Sequence, residues 1–119
     1  MFIKNLQDCE EFLAGDDSLL RELLHPDKAD LAITYSLAHA VVKPGQTSKP
    51  HKLKTSEVYY ILEGEGIMHI NGESERVKPG QAIYIPPNSK QYIRNSGRSD
   101  LKFLCIVDPA WRHEDEEVF

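Results

Sequence analysis

The sequence has little cysteine, no long apolar run and no concentration of basic charge. Only two of its 119 residues are cysteines, Cys9 and Cys105, which is too few for a disulfide framework and fits a reducing compartment. No stretch approaches the roughly 18 apolar residues of a transmembrane helix, and the first residues lack the apolar core of a secretory signal. We therefore expect a soluble, cytoplasmic protein that does not associate with membranes.

Basic residues are also outnumbered. The chain has 14 Lys and Arg against 19 Asp and Glu, for a net charge of −5, and they form no stripe of the kind that nucleic-acid-binding proteins usually carry. We expect no nucleic-acid partner. The length predicts one domain, and the balance of 40% hydrophobic and 28% charged residues favours an ordinary globular fold over disorder.

The apolar pattern divides the chain into three parts. Residues 1–30 form an N-terminal segment in which residues 7–25 predict short helices that pack on the rest of the protein. From residue 31 the period changes to two, and turn signals such as Asn71-Gly72 recur to residue 109. This pattern predicts about eight short strands in a barrel or sandwich. Residues 110–119 are acidic and are expected to form a solvated tail.

Two spaced motifs lie within the predicted strands. The first fits G-x5-H-x-H-x3-E-x6-G and the second fits G-x5-P-x-G-x2-H-x3-N, at all but three positions. The matching residues are Gly45, His51, Glu57 and Gly64 in the first motif, and Gly80, Pro86 and Asn95 in the second. In this pair of motifs the chain resembles the cupin family. The resemblance implies an all-β double-stranded β-helix, a jelly-roll-like barrel, here with short N-terminal helices.

Three positions depart from the family pattern. Leu53 and Gln91 stand where the family has histidines, and Asn88 stands where it has a glycine. Asn88 is a mild change, since Asn tolerates the left-handed turn conformation. The resemblance implies one divalent metal ion, of which Zn, Fe, Mn and Ni are candidates, held inside the barrel by His51, Glu57 and the carbonyl oxygen of Gln91. Leu53 offers no donor.

Strand alternation suggests further members of the site. His39 shares a face with large apolar residues and is expected to point inward, either as a core histidine bonded to Glu57 or backbone, or as a metal ligand or acid/base group. His51, Glu57 and His39 are therefore the catalytic candidates. Tyr59, Gln91 and Cys105 are candidates for binding a ligand, and Cys105 could equally be a small buried hydrophobe.

Three functions remain open, and each involves a small-molecule ligand. The first is a metal-dependent isomerase, decarboxylase or dioxygenase, in which the metal polarises a substrate oxygen. The second is a metal-free epimerase, lyase or isomerase, in which His51, His39 and Glu57 serve as acid and base while Tyr59 and Gln91 orient the substrate. The third is a non-catalytic ligand-binding module. The family also implies a homodimer, because cupins commonly pair through sheet edges and swapped N-terminal strands.

Overall fold

The computed structural model describes residues 1–119 and consists of two antiparallel sheets that face each other. One sheet has six strands in the order β1-β2-β3-β10-β5-β8, and the other has five in the order β11-β4-β9-β6-β7. The strands are β1 Phe12–Leu13, β2 Leu19–Leu24, β3 Ser36–Val42, β4 His51–Leu53, β5 Ser56–Glu63, β6 Gly66–Ile70, β7 Glu73–Val77, β8 Ala82–Ile85, β9 Gln91–Asn95, β10 Leu101–Asp108 and β11 Glu116–Val118. The prediction of an all-β barrel is confirmed.

Alternating residues of both sheets fill the space between them. On β10, Leu101 and Phe103 are buried while the residues beside them are more exposed. Ile61 of β5 and Ile93 of β9 reach the same core from opposite sheets and are fully buried. The period-two pattern of the sequence therefore corresponds to side chains that alternate between the barrel interior and its outer faces.

The prediction of helices over residues 7–25 was wrong. Only a single 3-10 turn forms at Leu6–Asp8, and β1 and β2 make an antiparallel hairpin whose second strand pairs with β3. Leucine doublets in this segment fit either a helix or a strand, and the open edge of β3 decides between them because it offers backbone hydrogen-bond partners. Asp17, at a φ of 70°, lies in the turn between β1 and β2. No helix in the structure is long and apolar enough to cross a bilayer.

The acidic C-terminal residues are mostly exposed to solvent, and they also form a strand that the sequence did not predict. Glu116–Val118 form β11, which pairs with β4 at the edge of the five-stranded sheet. The Trp111 indole Nε1 donates a hydrogen bond of 2.7 Å to Glu116 Oε2. A Cβ added at Gly15, in the β1–β2 turn, would lie 3.0 Å from Glu116 Oε1. The N-terminal hairpin and the C-terminal strand therefore meet beside β4.

Two turn positions of the sequence motifs require left-handed backbone. Gly64 has a φ of 86°, and a Cβ there would lie 2.6 Å from the carbonyl oxygen of Asp100, so that only glycine fits. Asn88, which replaces a glycine of the family pattern, has a φ of 62°. The prediction that Asn88 would accept the left-handed conformation is confirmed.

Candidate functional site

A cavity of about 170 Å³ lies between the two sheets, near the start of β3 and the end of β10. His51 of β4 lines it from one sheet, while Glu57 and Tyr59 of β5 and Cys105 of β10 line it from the other. The β1–β2 turn and β11 border the same cavity and contribute Asp16 and Glu116, among other residues. Four of the residues singled out from the sequence thus surround one space.

Strand alternation explains which side chains enter the cavity. His51 and Leu53 are two residues apart on β4, so they share a face, and both are buried and line the cavity. Glu57 and Tyr59 are related in the same way on β5. Leu53 therefore presents an apolar wall at the point where the family pattern has its second histidine.

Glu57 and Gln91 join the two sheets across the interior. The Gln91 amide Nε2 donates a 3.0 Å hydrogen bond to Glu57 Oε1, and both side chains are buried. Burial raises the pKa of the Glu57 carboxyl from 4.5 to about 8, the hydrogen bond from Gln91 lowers it, and the carboxylates of Asp16 and Glu116 raise it. Glu57 is consequently protonated at neutral pH. The Gln91 amide oxygen has no hydrogen-bond donor.

The ring of His51 is oriented by the backbone. Its Nδ1 lies 2.8 Å from the carbonyl oxygen of Lys49, which can only accept, so Nδ1 carries a proton. The other ring nitrogen, Nε2, lies 3.7 Å from Asp16 Oδ2. Asp16 is itself held in place, because its Oδ1 accepts hydrogen bonds of 3.0 Å from the Ser18 amide and 2.6 Å from the Ser18 hydroxyl. His51 thus has one nitrogen fixed and one beside a buried carboxylate.

Sequence reasoning missed Asp16 and Glu116 as members of this site. Asp16 belongs to the segment that was predicted to be helical, and Glu116 to the tail that was expected to be solvated. The signal for Asp16 was local: an Asp two residues before Ser18 forms an Asx turn, which predicts a bend but not what the bend faces. Their positions depend on strand pairings of β2 and β11 that no spacing in the sequence indicates.

Tyr59 and Cys105 form buried walls of the cavity. The Tyr59 ring packs against Phe103 with centroids 4.5 Å apart. Burial raises the pKa of the Tyr59 hydroxyl and of the Cys105 thiol well above their usual values, and the charge of Glu57 adds to both shifts. Both groups are therefore protonated at neutral pH, and the Cys105 thiol lacks the thiolate character of a nucleophile.

His39 does not join the cavity, and the prediction that it points inward was wrong. Its neighbour Ala38 lines the cavity, so His39 faces the opposite side of β3, where it pairs across the sheet with Arg21 and Leu104. Burial lowers the pKa of His39, as do the charges of Lys102 and Arg21. The alternate residues of β3, Ala38, Ala40 and Val42, face the interior instead.

The residues expected to hold a divalent metal do not fit a resident ion. No three His, Cys, Asp or Glu side chains in the chain converge on one point suited to a metal. Leu53 lines the cavity with an apolar side chain where the family pattern has a histidine donor. The Gln91 amide nitrogen donates a hydrogen bond to Glu57, so that carboxyl oxygen is not free to bind a metal. His51, Glu57 and a neutral amide are a weak donor set. The metal prediction is not confirmed.

The chain is similar to several proteins of known sequence. It is 44% identical over 108 residues to the uncharacterized protein MJ1618 of Methanocaldococcus jannaschii, covering 90% of this chain and 86% of that protein. It is 34% identical over 90 residues to an oxalate-binding protein of Thermotoga maritima, covering 75% of this chain and 69% of that protein.

Solved structures share the fold. The crystal structure of a predicted oxalate decarboxylase from Thermotoga maritima matches with a TM-score of 0.79 at 23% identity, covering 91% of this chain and 99% of that one. The Streptomyces nucleoside dehydratase Pac13 matches with a TM-score of 0.81 at 18% identity, covering 100% of this chain and 91% of that one. The family model for the cupin domain matches residues 38–107. With the motifs, the barrel and this match in agreement, the chain belongs to the cupin family.

Proposed function

We propose that this cupin binds a small molecule in the cavity and transfers protons to and from it without a resident metal. The observation that carries the proposal is the enclosure of an oriented imidazole, His51, and a protonated carboxyl, Glu57, in one cavity from opposite sheets. A base and an acid on two sides of a bound molecule can remove a proton at one atom and supply one at another. That chemistry serves an isomerase, an epimerase or a lyase.

His51 is suited to act as the base. With its Nδ1 proton donated to the Lys49 carbonyl, the neutral ring presents the Nε2 lone pair. When Nε2 accepts a proton from substrate, the imidazolium that forms lies 3.7 Å from the Asp16 carboxylate. Asp16 would then stabilise the positive charge, because opposite charges attract strongly at a buried site.

Glu57 is suited to act as the acid. Because its pKa is about 8, the group still carries its proton at neutral pH and loses it only slightly above. A carboxyl held near the operating pH donates a proton readily and is easily reprotonated. Gln91 positions this carboxyl through its 3.0 Å hydrogen bond, and Tyr59 and Cys105 form the walls against which a substrate would rest.

The curated relative from Thermotoga maritima is named for binding oxalate. That name supports a small-molecule ligand for the present chain, in agreement with a cavity of about 170 Å³, which is below the ~300–1,000 Å³ of sites for drug-sized molecules. It does not favour oxalate itself here, because the cavity contains carboxylates and no free cation to receive a dianion.

The test is a substrate screen by NMR on a mixture of small metabolites, with and without EDTA. We expect a signal to convert at the same rate in both conditions. We expect the rate to fall at least about 100-fold in His51→Gln and in Glu57→Gln, and to be unchanged in His69→Gln, which alters a histidine on the outer face of the other sheet. Conversion that stops with EDTA and returns with one metal would overturn the metal-free mechanism. Binding without conversion would indicate a ligand-binding module.

We also propose that the protein is a homodimer formed through the outer face of the six-stranded sheet. Ile106, Val58 and Tyr84 lie in one cross-strand row on the side opposite the cavity, and Tyr60 lies in the next row. Tyr84 is 63% exposed and Tyr60 41% exposed, which leaves an apolar patch uncovered. Light scattering should give twice the chain mass, and Tyr84→Lys should shift it to the monomer. A monomer mass for the unaltered protein would contradict this proposal.

A further inference from the structure

The walls of the cavity carry more carboxyl groups than cations. Asp16 from the β1–β2 turn, Glu57 from β5 and Glu116 from β11 reach it from three separate elements. Each carboxyl is held by the protein: Ser18 donates to Asp16, Gln91 to Glu57, and the Trp111 indole to Glu116. Three positioned carboxyls therefore surround a space that can hold only a small molecule.

The cations of the cavity do not balance these carboxyls. No arginine lines it, and its only lysine, Lys28, has a 68% exposed side chain whose Nζ lies 2.5 Å from Glu22 Oε1. His51 is the one basic group at the centre, and it lies beside Asp16. An anion that entered would lose its hydration without gaining a countercharge, which disfavours its binding.

A buried acceptor beside Glu57 is left without a donor. The Gln91 side chain is 1% exposed, and its amide oxygen, next to the Glu57 carboxyl, has no donor in the protein. Buried acceptors of this kind are normally satisfied. Gln91 does not itself line the cavity, so the acceptors that a ligand would meet directly are the carboxyl oxygens of Asp16 and Glu116.

We propose that the ligand is a small organic cation, an ammonium group on a short carbon chain, and this inference rests on the cavity being the ligand site proposed above. An ammonium group brings three N–H donors and a positive charge to the carboxyls of Asp16 and Glu116. The carbon chain packs against the apolar walls formed by Leu53, Phe103 and Val107. The cavity thus selects its ligand by charge, by size and by apolar contact.

The experiment compares three four-carbon probes that differ only in their end groups: butane-1,4-diamine, butane-1,4-diol and succinate. Each is titrated into isotope-labelled protein containing EDTA, at physiological salt, and binding is followed by NMR shifts of residues that line the cavity. We expect the diamine to shift cavity signals with at least about 10-fold higher affinity than the diol, a difference of 1.4 kcal/mol, and succinate to leave them unchanged.

Two isosteric variants test the charge, and the chain offers a matched control for each. Asp16→Asn and Glu116→Gln keep the hydrogen bonds from Ser18 and Trp111 but remove a negative charge from the cavity. Asp17→Asn and Glu117→Gln remove the same charge one residue away, from exposed side chains that do not line the cavity. We expect the diamine to bind at least about 10-fold more weakly to the first pair and within twofold of the original protein to the second.

Three results would overturn the inference. These are succinate binding in the cavity more tightly than the diamine, equal effects of the variants and their controls, and no cavity shift with the diamine at about 10 mM. The first leaves the cavity standing as a small-molecule site and changes only the class of ligand. Failure of the proposed function has a different signature, namely turnover that survives His51→Gln and Glu57→Gln.

Discussion

Strand β5 presents Glu57 and Tyr59 to the cavity at one end of the barrel, and Ile61 to a packed core two residues farther along. Strand β9 repeats the contrast with Gln91 at the polar end and Ile93 at the packed end. The same strands therefore carry both the candidate site and the core that supports it. The packed end holds the strands in register, and the polar end can then keep a buried carboxyl that would be unfavourable in a less rigid frame.

The largest expected effect is on the free energy of unfolding, whose pH dependence should include a contribution from Glu57 at the polar end. Its pKa is about 8 in the folded protein and 4.5 without the fold. Between these values the folded protein keeps a proton that the unfolded chain has lost, so the free energy of unfolding falls as pH rises. One proton corresponds to about 1.4 kcal/mol per pH unit, or on the order of 4 kcal/mol between pH 5 and 8.

Glu57→Gln should remove this contribution. Urea unfolding of both proteins at several pH values between 5 and 9 would give the difference in unfolding free energy, in which other titrating groups largely cancel. We expect the variant to gain stability relative to the original protein as pH rises to about 8, and the gain to level off above that. Two parallel pH profiles would mean that Glu57 ionises in the folded protein as it does in the unfolded chain.

A substitution in the core of the packed end should lower the free energy of unfolding by a large amount that does not depend on pH. Ile61 is fully buried in the core, so Ile61→Ala should lower the free energy of unfolding by about 3 kcal/mol through lost burial and the cavity it leaves. Ile3→Ala, at a position 73% exposed, is the matched control and should change it by less than about 0.5 kcal/mol. Equal effects at the two positions would contradict the description of this end as a closely packed core.

How far the sequence predicts the molecule differs between these regions. Alternation and turn signals predicted a barrel or sandwich of short strands, because strand period is a local property. The inward direction of Glu57 was implied by the resemblance to the cupin family. Alternation failed for His39, since the pattern fits either face of β3 as the inner one, and Ala38 rather than His39 lines the cavity. Asp16 and Glu116 could not be placed at all, because β2 and β11 depend on pairings between distant segments.

Two buried amide side chains on β9, Asn95 at the packed end and Gln91 at the polar end, allow a finer comparison of the two ends of the barrel. Asn95 donates to the carbonyls of Val42 at 2.9 Å and Ser99 at 2.8 Å, and accepts from Gly97. Gln91 makes one hydrogen bond and leaves its oxygen without a donor. Asn95→Ala should therefore cost about 2 kcal/mol, because it strands several buried groups, whereas Gln91→Met should cost less than about 1 kcal/mol.

Gln91→Met should also change the pKa of Glu57, the carboxyl group that Gln91 positions. The hydrogen bond from Gln91 lowers the pKa of Glu57, so removing the donor should raise that pKa further, which NMR of the labelled Glu57 carboxyl carbon would measure. Asn95→Ala, at the packed end, should leave the Glu57 titration where it is. A cost for Gln91→Met as large as that for Asn95→Ala would mean that the polar end, too, depends on its amide for stability.

The smallest effect is expected at the surface of the packed end. Lys43 Nζ lies 3.1 Å from Asp100 Oδ2, and both side chains are substantially exposed, at 51% and 32%. Solvent screens such a pair, and ordering two side chains offsets most of the attraction, so Lys43→Met should alter the free energy of unfolding by less than about 0.5 kcal/mol. Unfolding at low and high salt is the measurement. A loss of about 2 kcal/mol, removed by salt, would show that ion pairing at this end shares the role assigned to Ile61 and its neighbours. A value near zero would leave apolar packing as the source of rigidity on which the polar end depends.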